Sequence, residues 1–342
     1  MNVVKRFLAI LSAICITLGL TGCTDKSWII KCDYTTLPVG VYIYYLSTCY
    51  SEAKSKVENT SDVLNQEIDG KKASEWIKDK AMEYCKKLIA VEKKFEDMKL
   101  SFTDDEAKAI QATTDSQWSQ YKVMLESYGV SKDSFYRATT IFAVKYQRVF
   151  DAMYKEGGTD AVSKDDIKKY YKDNYTNYTY ISNSTTKQDE NGNTVFKEES
   201  EIKNIEEKFA SYANSIKEGT SFEDMKKKYM SDFSLTEDPA VSSSEVIDDK
   251  NSLPTDVKEK LNSLKVGESA MVKSENTYYL IYKGDINNNI SNLDNESESY
   301  SVLTKMKSDE FSQLLIKSAD DMGLTINNAS QNKYQPSLVA NS

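Results

Sequence analysis

Tyr300–Met322, YSVLTKMKSDEFSQLLIKSADDM, decides how this chain is organised. It reads as one amphipathic helix carrying Leu303, Met306, Phe311, Leu314, Leu315 and Met322. An isolated helix gains too little from propensity to stand alone in water, so this one must pack on something. The segment before it, 287–299, is rich in Asn, Ser and acidic residues and reads as a linker. The natural host is the first half of the chain, where long helical patterns dominate. Whatever lies between the two is then an insertion into a discontinuous helical domain.

Those patterns are specific. Trp28–Cys32 reads as a short strand, and Val41–Ala53 as a helix with Tyr42, Tyr45 and Cys49 on one face. Ile77, Ala81, Tyr84, Leu88, Val91 and Phe95 repeat at three and four, with Ser74 the expected N-cap. Thr103 and Glu106 fit a capping box for a helix through Ile110, Trp118, Tyr121 and Leu125 that stops at Gly129. Ser131 opens one further helix, through Ile141, Val144, Val149 and Met153, ended by Gly157-Gly158. The segment 163–286 is different. A short helix at Ser163–Asp173 leads to a strand at Tyr175–Ile181, and in the polar Lys187–Glu198 Asn191-Gly192 marks the turn of a hairpin or surface loop. Helices are expected at Ile202–Lys217, after Ser221 and after Pro254, and strands at Met271-Val272 and Tyr278–Tyr282.

The N-terminus fixes the compartment. Lys5 and Arg6 precede the uncharged Phe7–Leu20, and Leu20-Thr21-Gly22-Cys23 follows. A positive start, an apolar run and small residues at its end make a secretory signal peptide. The small pair before Cys23 is similar to the bacterial lipobox, which implies that Cys23 receives lipid and becomes the new N-terminus. The apolar run is shorter than the ~20 residues a spanning helix needs. The expected divisions are a lipoprotein signal peptide at 1–22, a helical domain at 23–162, the mixed unit at 163–286, the linker at 287–299 and the returning helix at 300–342. The expected location is extracytoplasmic, lipid-anchored to the outer face of the bacterial cell membrane.

Composition excludes much chemistry. There is no histidine among the 342 residues. That removes His-metal sites, Ser-His-Asp and Cys-His catalysis and any imidazole proton shuttle. The formal charge is −9, and losing the two positive charges of Lys5 and Arg6 takes it to −11. Nucleic acid wants a basic stripe, and a second membrane contact wants a polybasic one. Neither is expected. Cys15 leaves with the signal and Cys23 carries lipid; Cys32, Cys49 and Cys85 lie in no metal-ligand spacing. They are thiols, or hold one disulfide, and Cys32 with Cys49 is one of the open pairings. Asp104-Asp105 and Asp165-Asp166 sit at helix starts, where carboxylates favour the positive end of the helix dipole. Asp248-Asp249 is read as a solvated loop pair. No Gly-rich phosphate loop occurs, so neither ATP nor any other cofactor or metal is implied. Tyrosine is abundant, at 23 residues, and clusters at Tyr42, Tyr44, Tyr45 and Tyr50 among others; its apolar face with a polar tip suits promiscuous contact with unfolded chains.

Several short stretches, in order, carry a family resemblance. They are the lipobox, Asp165-Asp166-Ile167-Lys168-Lys169-Tyr170-Tyr171, Lys217-Glu218-Gly219, Ser221-Phe222-Glu223-Asp224-Met225, Tyr229-Met230-Ser231-Asp232 and Leu264-Lys265-Val266-Gly267-Glu268-Ser269. Together they resemble the parvulin-type lipoprotein foldases of Gram-positive bacteria, the PrsA/SurA class. The resemblance implies an α+β fold: a mostly helical SurA-N-like chaperone domain completed by a C-terminal helix, with an inserted parvulin-like α/β domain. It implies unfolded or newly secreted polypeptides as partners, and a membrane contact through the N-terminal lipid. Parvulin isomerases use two histidines beneath a small apolar pocket. Here the opening strand reads Tyr178-Thr179-Tyr180-Ile181, and Tyr279 stands where the second histidine falls. Glu237-Asp238-Pro239-Ala240-Val241 replaces the family's Gly-Gly segment.

The resemblance therefore points to Tyr180 and Tyr279 as peptide-groove residues and Val257 as a candidate pocket wall, although its spacing of four from Leu261 also reads as plain core packing, and it assigns no catalytic residue. The expected function is a membrane-anchored foldase or chaperone whose parvulin-like domain has weak or no prolyl isomerase activity. Two other readings stay open: an active isomerase with a non-histidine site, and a non-enzymatic envelope scaffold. A crevice-forming homodimer through the helical domain is compatible with these faces, although the periodicity does not demand it.

Overall fold

The computed structural model describes residues 27–248 and 253–340. The chain opens with β1 (Trp28–Lys31), β2 (Thr36–Pro38), α1 (Val39–Lys56), the short pair β3 (Glu67–Ile68) and β4 (Lys71–Lys72), then α2 (Ala73–Asp97), α3 (Asp104–Tyr128), α4 (Lys132–Ala138) and α5 (Thr140–Tyr154). The middle holds α6 (Lys164–Asn174), β5 (Tyr175–Ser184), the ribbon β6 (Thr186–Gln188) and β7 (Thr194–Phe196), α7 (Glu199–Lys217), α8 (Phe222–Asp232), β8 (Val241–Val246), α9 (Thr255–Ser263), β9 (Ser269–Ser274) and β10 (Thr277–Gly284). The end runs α10 (Glu296–Asp320), β11 (Thr325–Ile326), α11 (Asn328–Lys333) and α12 (Ser337–Ala340). The fold class is α+β and mostly helical. Two compact units result: one runs to Ala161 and resumes at Lys307, and the other is Val162–Met306. Among the described residues no helix is long and apolar enough to cross a membrane.

The first unit is closed by the two ends of its own chain. In a three-stranded antiparallel sheet of order β11-β1-β2, Ile30 pairs with Ile326 on one side and Leu37 on the other. Asn327 extends the seam, donating from its backbone N–H to Ile29 and from Nδ2 to Trp28. On α10, Phe311 has no exposed surface and meets three rings of α5 edge-on: Tyr146 at 4.8 Å, Phe150 at 5.4 Å and Tyr154 at 5.9 Å. Leu315 and Ala319 continue the buried stripe. The α2 stripe of Ile77, Ala81, Cys85, Leu88 and Val91 is fully buried, in one core with Tyr42, Leu46, Cys49 and Ala53 of α1, except that Val91 lies beyond that cluster.

Local signals set several helix ends. Thr103 and Glu106 form the capping box of α3, and Gly129 closes it in the left-handed region at φ 91°. Ser131 caps α4 and Ser163 caps α6, each accepting a backbone N–H three residues on.

Other expectations are corrected. Ser74 is not a cap: α2 starts at Ala73, and the β3–β4 turn at Asp69-Gly70 delivers the chain straight into it. The helix expected from Ser131 to Met153 is two helices, broken at Thr139, where ψ is −104°. Thr139, Thr140 and Ile141 are consecutive β-branched residues, which crowd a helical turn, and Thr139 Oγ1 donates back to the Phe135 carbonyl at 2.7 Å. Of the open readings for the cysteines, Cys32, Cys49 and Cys85 are all free thiols, the last two buried. The linker at 287–299 carries a 3-10 helix, Ile286–Asp294, that buries Leu293; its Asn side chains serve the backbone, as Asn295 does for Ser297.

The second unit is a four-stranded antiparallel sheet of order β8-β5-β10-β9. One face carries Ile181, Tyr278 and Leu280 against Ile205, Phe209 and Tyr212 of α7 and Met225 and Tyr229 of α8. The other carries Tyr178 and Ile281 against Val257 and Leu261 of α9. Period-2 alternation along β5 and β10 deals residues to the two faces. β8, VSSSEV, has no apolar alternation to announce it; it exists because β5 pairs with it from Tyr175↔Val246 to Tyr180↔Val241. Of the two readings of 187–198, the hairpin is the one formed: the ribbon β6–β7 turns at Gly192 with φ 81°.

Because Phe311 seals the first unit, Phe311→Ala is expected to lower its stability by about 3–5 kcal/mol, the usual cost of emptying a buried aromatic site. Chemical denaturation followed by near-ultraviolet circular dichroism checks this. A loss below ~1 kcal/mol would show that the returning helix does not hold the unit together.

Candidate functional site

The first unit contains a groove of about 960 Å³. Helices α1, α3 and α5 supply its walls and α4 its floor. From α1 come Tyr44, Thr48 and Ser51, one helical face at steps of four and three. From α3 come Gln117, Tyr121 and Met124, and from α5 Phe142 and Ala143. Phe135 meets Tyr44 edge-on at 5.5 Å, and Tyr45 stacks on Tyr84 at 5.3 Å. Tyr121 and Met124 stay exposed at 43% and 40%, large side chains that the described residues cover only in part. Glu52 is the one charged residue among the described residues lining the groove.

The groove's polar tips are fixed. Tyr45 donates to the Ala138 carbonyl at 3.2 Å and Tyr84 to Glu52 at 2.8 Å. Burial pushes the phenols of Tyr44, Tyr45 and Tyr84 up, with the Glu52 carboxylate adding to the effect at Tyr84. All three are therefore neutral hydroxyls at physiological pH. The floor is anchored by Arg137 of α4, whose guanidinium grips Glu92 of α2 with two bonds, at 2.8 and 2.6 Å. The same side chain donates to the Thr36 carbonyl and Thr35 hydroxyl. Such a forked pair fixes orientation as well as distance. Three segments are locked together beside the groove.

The residues expected from the sequence lie in the second unit. Tyr180 and Tyr279 meet there, ring centroids 5.7 Å apart, on the α9 face of the sheet. Tyr178 stacks on Tyr180 at 6.3 Å and donates its hydroxyl to Glu245. Both Tyr180 and Tyr279 are half-buried, with Val272 paired to Tyr279 across the strands. Burial, aided by Tyr180, raises the Tyr279 phenol, so it is a neutral donor. Val257 has no exposed surface and sits among Tyr178, Leu261, Ala270 and Ile281. It supports the aromatic face from within and is not a wall that a ligand touches. Cys23 lies outside the described residues.

Sequence reasoning found Tyr44 and Tyr45 as part of a tyrosine cluster but took Tyr84 and Tyr121 for core stripe. Phe135 reads from the sequence only as part of a helix start, and Met124 and Phe142 carry no signal of their own there. The available signal was on α3, where Tyr121, Met124 and Leu125 widen the apolar stripe beyond what one neighbouring helix can cover.

No family model matches the chain, and no curated protein matches it. Among solved structures, the chain is similar to the foldase protein PrsA of Streptococcus pneumoniae, at 16% identity and TM-score 0.36 over 75% of this chain and 88% of that one. It is also similar to the PrsA foldase of Lactococcus lactis, at 15% identity and TM-score 0.34 over 89% and 96%. A third is one of two structurally related SurA-like chaperones of Campylobacter jejuni, at 13% identity and TM-score 0.22 over 88% and 98%.

Arg137→Met leaves the Glu92 carboxylate nearly buried without its partner. The expected cost is about 3 kcal/mol, the scale seen when one side of such a pair is removed. Equilibrium urea unfolding measures it, and a double variant with Glu92→Leu should recover most of the loss. A double variant no more stable than the single one would show that the pair is not the anchor.

Proposed function

We propose that this protein is an extracytoplasmic foldase or chaperone that holds partly unfolded, newly secreted chains in the aromatic groove of its helical unit. The observation that carries this is the groove itself: about 960 Å³, lined by tyrosine, phenylalanine and methionine, with Tyr121 and Met124 left uncovered. Burying one client side chain there contributes about 1.5–3 kcal/mol. Ordering the client consumes much of that, so binding is broad and weak. Tyrosine suits the task because its rigid ring loses little entropy and its hydroxyl tolerates a passing backbone. Methionine adapts its shape to different clients.

The tether to the outer face of the membrane rests on Lys5, Arg6, the uncharged run and Leu20-Thr21-Gly22-Cys23. Lipid on Cys23 puts the groove where secreted chains emerge.

In the second unit, Tyr180 and Tyr279 form the surface that contacts client peptide, with weak or no prolyl isomerase activity. Rotation about an X–Pro bond needs no covalent step, only help over a barrier of ~18–20 kcal/mol. A tyrosine pair can desolvate the bond. It lacks the preorganised imidazole network, and losing a single such donor elsewhere costs about 10²–10³ in rate.

A lipid-free chain beginning at residue 23, with Cys23→Ser, should slow the aggregation of chemically unfolded citrate synthase. Met124→Glu combined with Tyr121→Ala should weaken that protection about fivefold or more, with the thermal midpoint unchanged, because two exposed contacts are lost. Undiminished protection in this variant would remove the groove as the client site.

On a proline-limited refolding substrate the same chain is expected to accelerate folding no more than about twofold. A large acceleration abolished by Tyr279→Phe would instead establish an active isomerase with a non-histidine site.

A further inference from the structure

The second unit also holds a cavity of about 610 Å³ that plays no part in the client site. It lies where β8 and the start of β5 meet the 3-10 turn and the first turns of α10. Its chemistry is unlike that of the groove. Four asparagines, four serines and two tyrosines line it with a single carboxylate, Glu298, and only Leu293 and Val302 are aliphatic. None of the described lining residues is lysine or arginine. An anion finds no counter-charge there, and an apolar segment would strip water from polar groups it cannot satisfy.

The polar groups are held in order. Asn289 Nδ2 donates to Ser244 Oγ at 2.6 Å, Ser244 Oγ donates to Asn177 Oδ1 at 3.3 Å, and Asn177 Nδ2 donates to the Asp285 carbonyl at 3.2 Å. A carboxamide has two donors and two acceptor lone pairs, so each asparagine keeps capacity beyond this relay. Half-buried Tyr175 adds a ring, backed by buried Tyr171 at 4.7 Å. Its phenol is pushed up to about 12, first by burial and then by the neighbouring tyrosines, and stays a neutral hydroxyl. The cavity thus combines fixed, uncharged donors and acceptors with one supported aromatic face, in a volume ordinary for a small-molecule site.

We propose that this cavity binds a neutral saccharide, with Asn177, Ser244, Asn289 and Glu298 bonding its hydroxyls and Tyr175 packing on the C–H face of a ring. A sugar offers alternating hydroxyls and an apolar ring face, and both match this lining. An extended peptide matches less well: strand-wise recognition needs apolar pockets for alternate side chains, and two aliphatic residues do not build them.

The test titrates chitotriose, and separately maltotriose, into the 15N-labelled lipid-free chain while amide shifts are followed. At least one should saturate with a Kd of about 1 mM or tighter, its shifts centred on 175–177, 242–244 and 289–298. Asn289→Ala should weaken binding about tenfold, the worth of one well-made hydrogen bond. Tyr175→Leu, which keeps an apolar side chain at the strand end, should weaken it by a similar factor and serves if Asn289→Ala does not fold. Met124→Glu should leave sugar binding unchanged, so failure of the client groove and failure of this site are separable. Absence of saturation by either sugar at about 20 mM overturns the proposal, because that leaves no useful affinity. So does binding that both variants leave intact, or displacement of these same shifts by an unfolded peptide alone.

Discussion

Phe311 on the returning helix is the contact on which the rest of this structure depends. It has no exposed surface, and Tyr146, Phe150 and Tyr154 of α5 enclose it edge-on. A ring so placed commits the end of the chain to the first unit. The Ile30↔Ile326 pairing commits it a second time, through backbone hydrogen bonds. With both ends of the first unit bound to each other, Val162–Met306 can only be an insertion. The loop-closure cost of such a long excursion grows slowly with length, which is why an inserted unit of this size is tolerated.

Each unit then resolves the same difficulty differently. The first leaves part of its aromatic surface uncovered. Helix α3 turns Trp118 and Leu125 into the core while Tyr121 and Met124 stay exposed, and the Arg137–Glu92 fork holds the floor rigid beneath them. A rigid groove with adaptable side chains can fit apolar groups of varied shape. The second unit covers both faces of its sheet with helices, so its apolar residues are mostly spent on its own core. What remains at its surface is the Tyr180–Tyr279 pair on one face and a cavity of amides and hydroxyls at the β8 edge. The two units therefore present contrasting chemistry, one apolar and one hydrogen-bonding.

Much of this was legible in the residues. Thr103 with Glu106, Ser131 and Ser163 announced helix starts through side chains that satisfy their own backbone, and Gly129 announced a stop. Such signals span three or four residues and need no partner. The features that escaped all depended on something distant. Ser74 lost its role because a β-turn already delivered the chain into α2. β8 became a strand because β5 was there to pair with it. Between pocket wall and core, Val257 was settled as core because Leu261, Ala270 and Ile281 closed over it.

By itself, then, the sequence determined the helical first half, the mixed middle, the return of the last helix and the exclusion of histidine chemistry. Periodicity, capping and composition are local, and local rules suffice for them. Only the tertiary structure decided which aromatics became surface and which became core. Tyr42 and Tyr44 sit two residues apart on one helix, yet one is fully buried and the other lines the groove. That difference is set by which helices pack against each face of α1, a property of the assembled unit that no spacing along the chain contains.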